Sequence, residues 1–397
     1  MTHIAILGFG VVGRGVAEFI TVNRKESAYV GGDEIDIKYI LDLRDFPSSP
    51  FAGRIVHDYN VIVNDPEIST VIEVMGGSHP AYEYAKAAIL SGKNVITSNK
   101  EVVANFGDEL LRLARENGVC YRFEASVGGG IPALSPIISC VRQNKIKEIR
   151  GILNGTTNYI LTEMFTYGAS FESALCDAQE KGYAERNPAA DVEGTDATRK
   201  IAILTAIVSG KLLPVDKIYT EGITKIRESD VKAAAKLGAT VKLVARGIVG
   251  GEEPLAMVAP FVVMNTKFLS AVSGVYNAIE VIAEPLGDVM FYGQGAGGGT
   301  TASAVVGDLV QVMSTGVNYT APVFEKSEPK LAFEDFVSRH YLAYDPEVFA
   351  KIEEKLGAYS MISKAKEIAV ITHEMSEREL AALIAESEPK SHIRVLD

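Results

Sequence analysis

The fold of the N-terminal part of this chain is decided by the stretch His3-Ile4-Ala5-Ile6-Leu7-Gly8-Phe9-Gly10-Val11-Val12-Gly13. Residues 3–7 are nearly all apolar, the pattern of a strand buried on both faces, and a helical pattern runs from the glycines to about Asn23. A GxGxxG turn between strand and helix favours a dinucleotide site, because Gly8 permits the tight turn, Gly10 lets the backbone approach a pyrophosphate and Gly13 lets the helix pack closely. The alternative is a glycine turn that only connects the two elements. The candidate cofactor-binding residues of this stretch are Gly8, Phe9, Gly10, Val11, Val12 and Gly13.

Strands and helices continue to alternate after this unit. Strand patterns cover residues 35–41, 70–75 and 94–97, and a helix pattern covers residues 80–91. Strands that alternate with helices of about 10–15 residues predict a parallel, doubly wound sheet whose ligand lies at the carboxyl ends of the strands. Gly76 and Gly77 follow one of these strands and are further candidate cofactor contacts.

Two charged residues at the end of the second strand bear on the choice of cofactor. Asp42 lies 29 residues after Gly13, whereas the acidic residue of the dinucleotide fingerprint is expected after about 20. Its carboxylate could accept a hydrogen bond from a ribose 2′-hydroxyl, which favours NAD, but Arg44 could hold a 2′-phosphate, which favours NADP. Both cofactors therefore remain candidates.

Composition excludes several classes of protein. The chain has 397 residues, enough for two or three domains, and a net charge of −12 from 39 basic and 51 acidic residues. An acidic chain without a Lys/Arg cluster is not expected to bind nucleic acid. Three widely spaced cysteines do not form a disulfide framework or zinc motif. Because signal-peptide features and apolar runs of about 18 residues are lacking, we expect a cytoplasmic protein without a membrane partner.

The pattern changes near Pro132 and predicts two more domains. The middle region has strand patterns at 149–153, 241–249, 256–263 and 278–283, a long helical block at 156–208, a glycine-rich run at 293–299 and a helix at 301–314. A final segment reads strand, helix, strand, helix, strand. We therefore predict a dinucleotide-binding domain of residues 1–132 plus 300–322, an α+β domain of residues 133–299, and a small α/β module of residues 332–397.

Two clusters near the predicted nucleotide site are candidates for function. Ser98-Asn99-Lys100 follows the strand at 94–97, where the nicotinamide should lie, although Lys100 also suits an ordinary solvated helix start. The run Glu124-Ala125-Ser126-Val127-Gly128-Gly129-Gly130-Ile131-Pro132 contains three consecutive glycines. Such a backbone can approach a ligand or an ion closely, or can serve as a domain hinge.

A third cluster is rich in carboxylates. A polar loop starts at Gly182-Tyr183-Ala184-Glu185, contains Asp191 and leads to Asp196 and Lys200, which lie four residues apart on one helix face. A surface ion pair of this kind contributes only about 0.3–0.5 kcal/mol and needs no function. If the carboxylates instead converge near the lysine, they could hold a substrate ammonium while the lysine protonates an oxygen that becomes an alkoxide. A divalent-metal site is also conceivable, but no histidine lies nearby in the sequence.

Taken in order, these motifs resemble homoserine dehydrogenase over about residues 1–320. The resemblance is carried by residues 8–13, 71–77, 97–100, 124–132, 153–159, 182–185, 191–200 and 293–301, among which Asn154-Gly155-Thr156-Thr157-Asn158 and the Gly182–Lys200 region are the most specific. It implies NAD- or NADP-dependent interconversion of L-aspartate 4-semialdehyde, a small amino-acid semialdehyde, and L-homoserine, in threonine and methionine biosynthesis. It also implies a homodimer or homotetramer formed through the middle domain.

The resemblance further implies roles for individual residues. Lys200 would be the proton donor and Lys100 would polarise the reacting oxygen. Glu185, Asp191 and Asp196 would recognise the amino-acid end and orient the lysine. The remaining implied residues are Thr156 and Tyr183 in the pocket wall, Gly295 and Gly297 over the cofactor, and Glu124 with the carbonyls of Val127, Gly129 and Ile131 around a monovalent cation, usually sodium.

The C-terminal segment resembles a shortened ACT module. Its Asp345-Pro346-Glu347 turn lacks the glycine that meets an amino-acid effector in ACT domains, which disfavours feedback by threonine and leaves assembly as the alternative role. Two further functions remain as alternatives: another Rossmann-type amino-acid or sugar dehydrogenase, and a non-catalytic sensor of nucleotides and amino acids.

Overall fold

The computed structural model describes residues 1–22, 35–141, 143–251, 253–316, 321–329, 332–364 and 366–396. Its strands are β1 Thr2–Leu7, β2 Ile35–Leu41, β3 Ile55–Val56, β4 Ile68–Glu73, β5 Asn94–Thr97, β6 Tyr121–Arg122, β7 Lys145–Ile152, β8 Lys211–Leu212, β9 Tyr219–Thr220, β10 Ala239–Ile248, β11 Leu255–Met264, β12 Tyr276–Glu284, β13 Gly287–Gln294, β14 Glu325–Lys326, β15 Val337–Ser338, β16 His340–Tyr344, β17 Tyr359–Lys364, β18 Ile368–Thr372, β19 Met375–Ser376 and β20 Ser391–Leu396.

The α-helices alternate with these strands throughout the chain. They are α1 Val11–Val22, α2 Asn60–Val63, α3 Ala81–Leu90, α4 Lys100–Glu116, α5 Leu134–Val141, α6 Gly155–Tyr167, α7 Phe171–Glu180, α8 Ala189–Val192, α9 Thr195–Ser209, α10 Glu228–Lys236, α11 Gly298–Thr315, α12 Pro346–Ile352 and α13 Glu377–Ser387. None of the helices in the described ranges is long and apolar enough to cross a membrane.

The chain divides into two compact units. The first consists of Met1–Gln143, Ala202–Val215 and Gly293–Ser327, and the second of Asn144–Ile201, Asp216–Tyr292 and Glu328–Asp397.

The first unit is built on a six-stranded parallel sheet. The strand order is β3-β2-β1-β4-β5-β6, and every pairing is parallel. The order reverses between β1 and β4, which opens a crevice at the carboxyl ends of these strands. Ile4 and Ile6 of β1 are fully buried in one core with Val16 of α1 and Leu309 of α11. The predicted parallel, doubly wound sheet is confirmed.

Local contacts explain where the predicted strand boundaries shifted. β2 and β5 have the predicted bounds, but β4 ends at Glu73 instead of Met75. The Glu73 carboxylate accepts a hydrogen bond from the Met75 N–H at 2.8 Å. This side-chain bond replaces a ladder bond and ends the strand. Asn23, the predicted last residue of the first helix, lies outside the described residues.

The second unit contains one mixed sheet. Its strand order is β13-β12-β7-β10-β11-β20-β16-β18-β17, and β9 also pairs with β11. β10 and β11 pair antiparallel over ten residues, from Ala239 opposite Met264 to Ile248 opposite Leu255. Helices α6 and α10 pack against β10, which buries apolar residues on this strand and covers one face of the sheet.

The C-terminal strands continue the same sheet. β20 pairs in parallel with β11, and the elements β16, α12, β17, β18, α13 and β20 form a β-α-β-β-α-β unit with strand order β20-β16-β18-β17. The sequence missed β17 because Tyr359–Lys364 is an edge strand that lacks a buried apolar face. It missed β13, Gly287–Gln294, for the same reason.

The helical block predicted at 156–208 is divided into several helices. The structure has four helices there, α6 to α9. Gly168, Gly182 and Gly194 interrupt the block with φ angles of +65°, +74° and +88°. Glycine adopts this left-handed conformation without the steric cost that other residues incur, so these residues end the helices and allow polar loops between them.

Candidate active site

The glycine turn after β1 has the geometry of a pyrophosphate-binding loop. Gly8 has a φ of +98°, which a side chain would disfavour. A Cβ atom at Gly13 would lie 2.0 Å from the Gly8 carbonyl oxygen, whereas a Cβ atom at Gly10 would have no neighbour within 4 Å. The protein therefore needs Gly13 for its own packing, but it leaves open space at Gly10, where a phosphate group can approach the backbone. The residues present fit a dinucleotide.

The side chains of Asp42 and Arg44 form an ion pair. The Arg44 guanidinium donates to both carboxylate oxygens of Asp42, each at 3.0 Å. The Phe9 N–H also donates to Asp42 at 2.9 Å. The bonds from Arg44 and Phe9 lower the pKa of Asp42 to about 2. Asp42 is therefore ionised at neutral pH, while the Arg44 side chain keeps 65% of its surface exposed.

A cavity of about 410 Å³ lies next to this turn. Phe9, Phe46 and Phe51 line it, and the Arg14 guanidinium lies 5.1 Å from the centre of the Phe46 ring and 5.7 Å from that of Phe9. Aromatic faces and a guanidinium offer the surfaces on which a nucleobase or phosphate can bind.

The turns after β4 and β5 are tied to each other. The Asn99 side-chain amide donates to the Gly77 carbonyl at 2.7 Å, and Gly76 precedes Gly77 in this turn. The Asn99 oxygen accepts from the N–H groups of Glu101 and Val102, which caps α4. Lys100 is consequently the first residue of α4 and is partly buried.

The 124–132 loop is folded around the start of α5. Glu124 is buried, and its carboxylate accepts from the Leu134 N–H at 2.7 Å and the Ser135 N–H at 2.9 Å. The Ile131 carbonyl accepts from the Ala133 N–H at 2.9 Å, and Val127 is buried. The Ser135 hydroxyl donates to the same carboxylate at 2.9 Å, so about one of its four acceptor positions remains for a hard cation. The described residues contain no group of three or more His, Cys, Asp or Glu arranged to hold a metal ion.

The glycine-rich run before α11 packs against two other segments of the first unit. Gly129 has a φ of +59°, and a Cβ atom there would lie 2.3 Å from the Gly295 carbonyl oxygen. Gly297 is the residue before α11, and a Cβ atom on the next residue, Gly298, would lie 2.6 Å from the Val11 side chain. The predicted cofactor residues Gly295 and Gly297 therefore lie close to the 124–132 loop and to the start of α1.

The second unit buries an amine beside a carboxylate. The Lys200 ammonium donates to Asp196 at 2.8 Å and to the Leu153 carbonyl at 2.7 Å. Only 8% of Lys200 and 5% of Asp196 is exposed. Their spacing also allowed an exposed surface pair, and this burial shows that the pair is not on the surface.

Asn154 joins the two carboxylates of this cluster. Its amide donates to Asp191 at 2.7 Å and to Asp196 at 3.0 Å, while its oxygen accepts from the Thr157 N–H and caps α6. Asn154 is the first residue of the motif at residues 154–158, and the motif alone gives it no individual role. Spacing could not reveal one, because its partners lie 37 and 42 residues further along the chain.

Among the remaining predicted substrate residues, Asp191 belongs to this cluster through its hydrogen bond with Asn154. Burial raises the pKa of Asp191, and the nearby Asp196 charge raises it further, against the hydrogen bond from Asn154. The Thr156 hydroxyl donates to the Tyr183 carbonyl at 2.7 Å, and the Tyr183 ring is partly exposed. Glu185 is exposed, and its main-chain carbonyl accepts from the Gln179 amide.

A parallel nucleotide-binding sheet together with a buried lysine–carboxylate cluster defines an NAD(P)-dependent oxidoreductase that acts on a CH–OH group. Comparisons identify the family. The family model described as homoserine dehydrogenase, NAD binding domain, matches residues 8–124, and the model described as homoserine dehydrogenase matches residues 132–310. This chain belongs to the homoserine dehydrogenase family.

Individual relatives support the same assignment. A homoserine dehydrogenase of Synechocystis sp. is 36% identical, with 99% of each chain covered. The crystal structure of a homoserine dehydrogenase from Thiobacillus denitrificans superposes with a TM-score of 0.91 at 33% identity, covering 100% of this chain and 98% of the other. A hyperthermophilic archaeal homoserine dehydrogenase in complex with NADPH has a TM-score of 0.68 at 28% identity and covers 81% of this chain and 99% of its own.

Proposed function

We propose that this protein reduces L-aspartate 4-semialdehyde to L-homoserine and that Lys200 is its proton donor. The observation that carries the proposal is the buried ammonium of Lys200, 2.8 Å from Asp196. An amine held in this way is fixed in position before a substrate arrives. The reaction needs such a group, because reduction of an aldehyde creates an alkoxide that must gain a proton.

When bound, the reduced nicotinamide supplies the hydride. Lys200 donates its proton to the oxygen of the former aldehyde and leaves a neutral amine, which regains a proton from solvent. Asp196 and the Leu153 carbonyl keep the ammonium oriented during this step. We assign Lys100, the first residue of α4, to polarising the same oxygen.

Recognition of the amino-acid end is assigned to the acidic residues of the second unit. Glu185 and Asp191 would bind the substrate ammonium, since carboxylates form strong hydrogen bonds with a charged amine. Thr156 and Tyr183 would form the pocket wall, and the Thr156–Tyr183 hydrogen bond supports this by joining α6 to the loop that carries Glu185.

The Asp42–Arg44 pair would select the cofactor. Asp42 in its present position can accept from a ribose 2′-hydroxyl and repels a 2′-phosphate, which favours NAD. Arg44 released from Asp42 would bind a 2′-phosphate bidentately, which favours NADP. The nucleotide would also contact residues 8–13, 76–77, 295 and 297, together with Asn99.

Four finer features belong to the same proposal. A monovalent cation, sodium by family resemblance, would bind Glu124 and the carbonyls of Val127, Gly129 and Ile131. The domains would be residues 1–132 plus 300–322, 133–299 and 332–397, the last an ACT-like module, for which the β-α-β-β-α-β order is the support. The enzyme would be a cytoplasmic homodimer or homotetramer.

One assay tests the proposed reaction. The protein is mixed with aspartate semialdehyde and either NADH or NADPH, and the near-ultraviolet absorbance of the reduced cofactor is followed. We expect the absorbance to fall only when the semialdehyde is present. Binding of the cofactor without turnover would instead support a sensor, and turnover of other carbonyl compounds alone would support a different Rossmann-type dehydrogenase.

A further inference from the structure

Glu73, the last residue of β4, is a carboxyl group that none of the roles above uses. It is fully buried, and a buried carboxylate is costly unless donors surround it. The Met75 N–H donates to one of its oxygens at 2.8 Å, and the Thr97 hydroxyl donates to the other. These two donors come from the segments that follow β4 and end β5.

The hydrogen bonds of Glu73 continue into a closed ring. The Thr97 hydroxyl oxygen accepts from the Asn99 N–H at 2.9 Å. The Asn99 amide donates to the Gly77 carbonyl at 2.7 Å and lies 3.5 Å from Glu73 itself. The turn after β4 and the turn after β5 are therefore held together by one buried acid.

The position of these turns indicates which part of a dinucleotide they meet. The strand order reverses between β1 and β4, and a dinucleotide binds across such a point at the carboxyl ends of the strands. Asp42 ends β2 and occupies the place of the acid that contacts the adenosine ribose. The nicotinamide half must then lie on the other side, at the ends of β4 and β5.

We propose that Glu73 is a positioning residue that fixes the two turns against which the nicotinamide half of the cofactor binds. A carboxylate suits this task because it only accepts hydrogen bonds, so it can hold the Met75, Thr97 and Asn99 donors at once. A glutamine of the same shape would present an NH₂ group to one of those donors. The proposal rests on the NAD(P) dependence of the family and does not depend on the identity of the carbonyl substrate.

The test compares two ligands by isothermal titration calorimetry at pH 8. One is NAD(P)H, and the other is ADP-ribose, or its 2′-phosphate if NADP is the preferred cofactor, which lacks the nicotinamide. In Glu73→Gln we expect the Kd for NAD(P)H to rise about tenfold and the Kd for the fragment to stay within about twofold of wild type. Glu67→Gln, an exposed acid just before the other end of β4, is the matched control and should alter neither value.

Two results would overturn the proposal: an equal loss of affinity for both ligands, or no loss for either. Should Glu73→Gln fail to fold, Thr97→Val removes one donor of the same ring with little change of shape and must give the same selective loss. An equal loss of affinity for both ligands in Thr97→Val would also overturn the proposal. A wild-type protein that binds no NAD(P)H would instead contradict the cofactor assignment itself, so the two failures are distinguishable.

Discussion

Lys200 and Asp196 lie one helical turn apart at the start of α9, with 2.8 Å between the ammonium nitrogen and the carboxylate oxygen, and both are almost completely buried. A buried pair behaves differently from a surface pair. Removing one partner leaves an uncompensated charge and destabilises a protein by about 3–5 kcal/mol. A test of the chemistry must therefore keep the charge.

Lys200→Arg meets this requirement. The guanidinium still pairs with Asp196, but it does not give up its proton in proteins. We expect kcat to fall by about 10²–10⁴-fold, the usual contribution of a general acid, with the Kd for NAD(P)H nearly unchanged. Stopped-flow kinetics measure kcat, and calorimetry measures the Kd for NAD(P)H. Turnover at the wild-type rate would remove Lys200 from the mechanism.

Asn154 separates helix capping from organisation of the site. Asn154→Asp keeps a good N-cap for α6 but removes the amide that donates to Asp191 and Asp196, and it adds a third negative charge. We expect a kcat reduced by about 10- to 100-fold and a thermal midpoint below that of wild type, because the third carboxylate lies beside two that are already buried.

Asn154→Ala is the comparison variant, since it loses both the cap and the bridge. It should lose stability by about 1 kcal/mol as well as activity. If Asn154→Asp kept the wild-type kcat, the bridge that Asn154 forms between the carboxylates would have no part in catalysis.

The sequence predicted those strands and helices whose buried residues follow a regular spacing along the chain. The apolar run 3–7 became β1, and the i, i+4 spacing placed Asp196 and Lys200 on one helix face. The edge strand β17 was not predicted, because an exposed strand lacks the pattern of buried apolar residues by which a strand is recognised in a sequence. Within the 156–208 block, the sequence predicted the polar loop that begins at Gly182 but not the break at Gly168, because an isolated glycine inside a helical pattern does not reveal a positive φ.

The candidate sites were only partly predictable, because their partners are distant in sequence. Asp42 and Arg44 are an exception, since they lie two residues apart, and the structure pairs them through two hydrogen bonds. Asn154 gained its role from residues about 40 positions away. Glu73 did carry a local signal, an acid inside an otherwise apolar strand, since such a group is buried only for a reason.

Glu185 provides a test of substrate recognition. If its carboxylate binds the substrate ammonium, Glu185→Gln should raise the KM for aspartate semialdehyde about tenfold and leave kcat nearly unchanged. For 4-oxobutanoate, the aldehyde without the amino group, the same variant should have the KM of wild type. Glu180→Gln, an exposed acid at the end of α7, is the control. An equal rise in KM for both aldehydes would argue against contact with the ammonium.

The Asp42–Arg44 pair predicts opposite changes in cofactor preference. Asp42→Asn removes the charge that repels a 2′-phosphate, so the ratio of kcat/KM for NADPH to that for NADH should rise about tenfold. Arg44→Ala removes the group that would bind the phosphate, so the same ratio should fall. Steady-state kinetics with both cofactors measure the two ratios. Ratios that move in the same direction in both variants would contradict the assignment.

Glu73 predicts how stability depends on pH. Burial raises the pKa of Glu73 from 4.5 to about 7, against the hydrogen bonds from Thr97, Met75 and Asn99. A raised pKa means that the folded protein binds the proton more tightly than the unfolded chain, so the stabilisation is complete below pH 4.5 and is lost as the pH rises through about 7. Glu73→Gln cannot titrate, and its free energy of unfolding relative to wild type should therefore increase between pH 4.5 and 7, by at most about 3 kcal/mol. Urea unfolding across this pH range measures the difference in free energy of unfolding, and Glu67→Gln is the control. A difference that stays constant with pH would mean that Glu73 does not take up a proton in the folded protein.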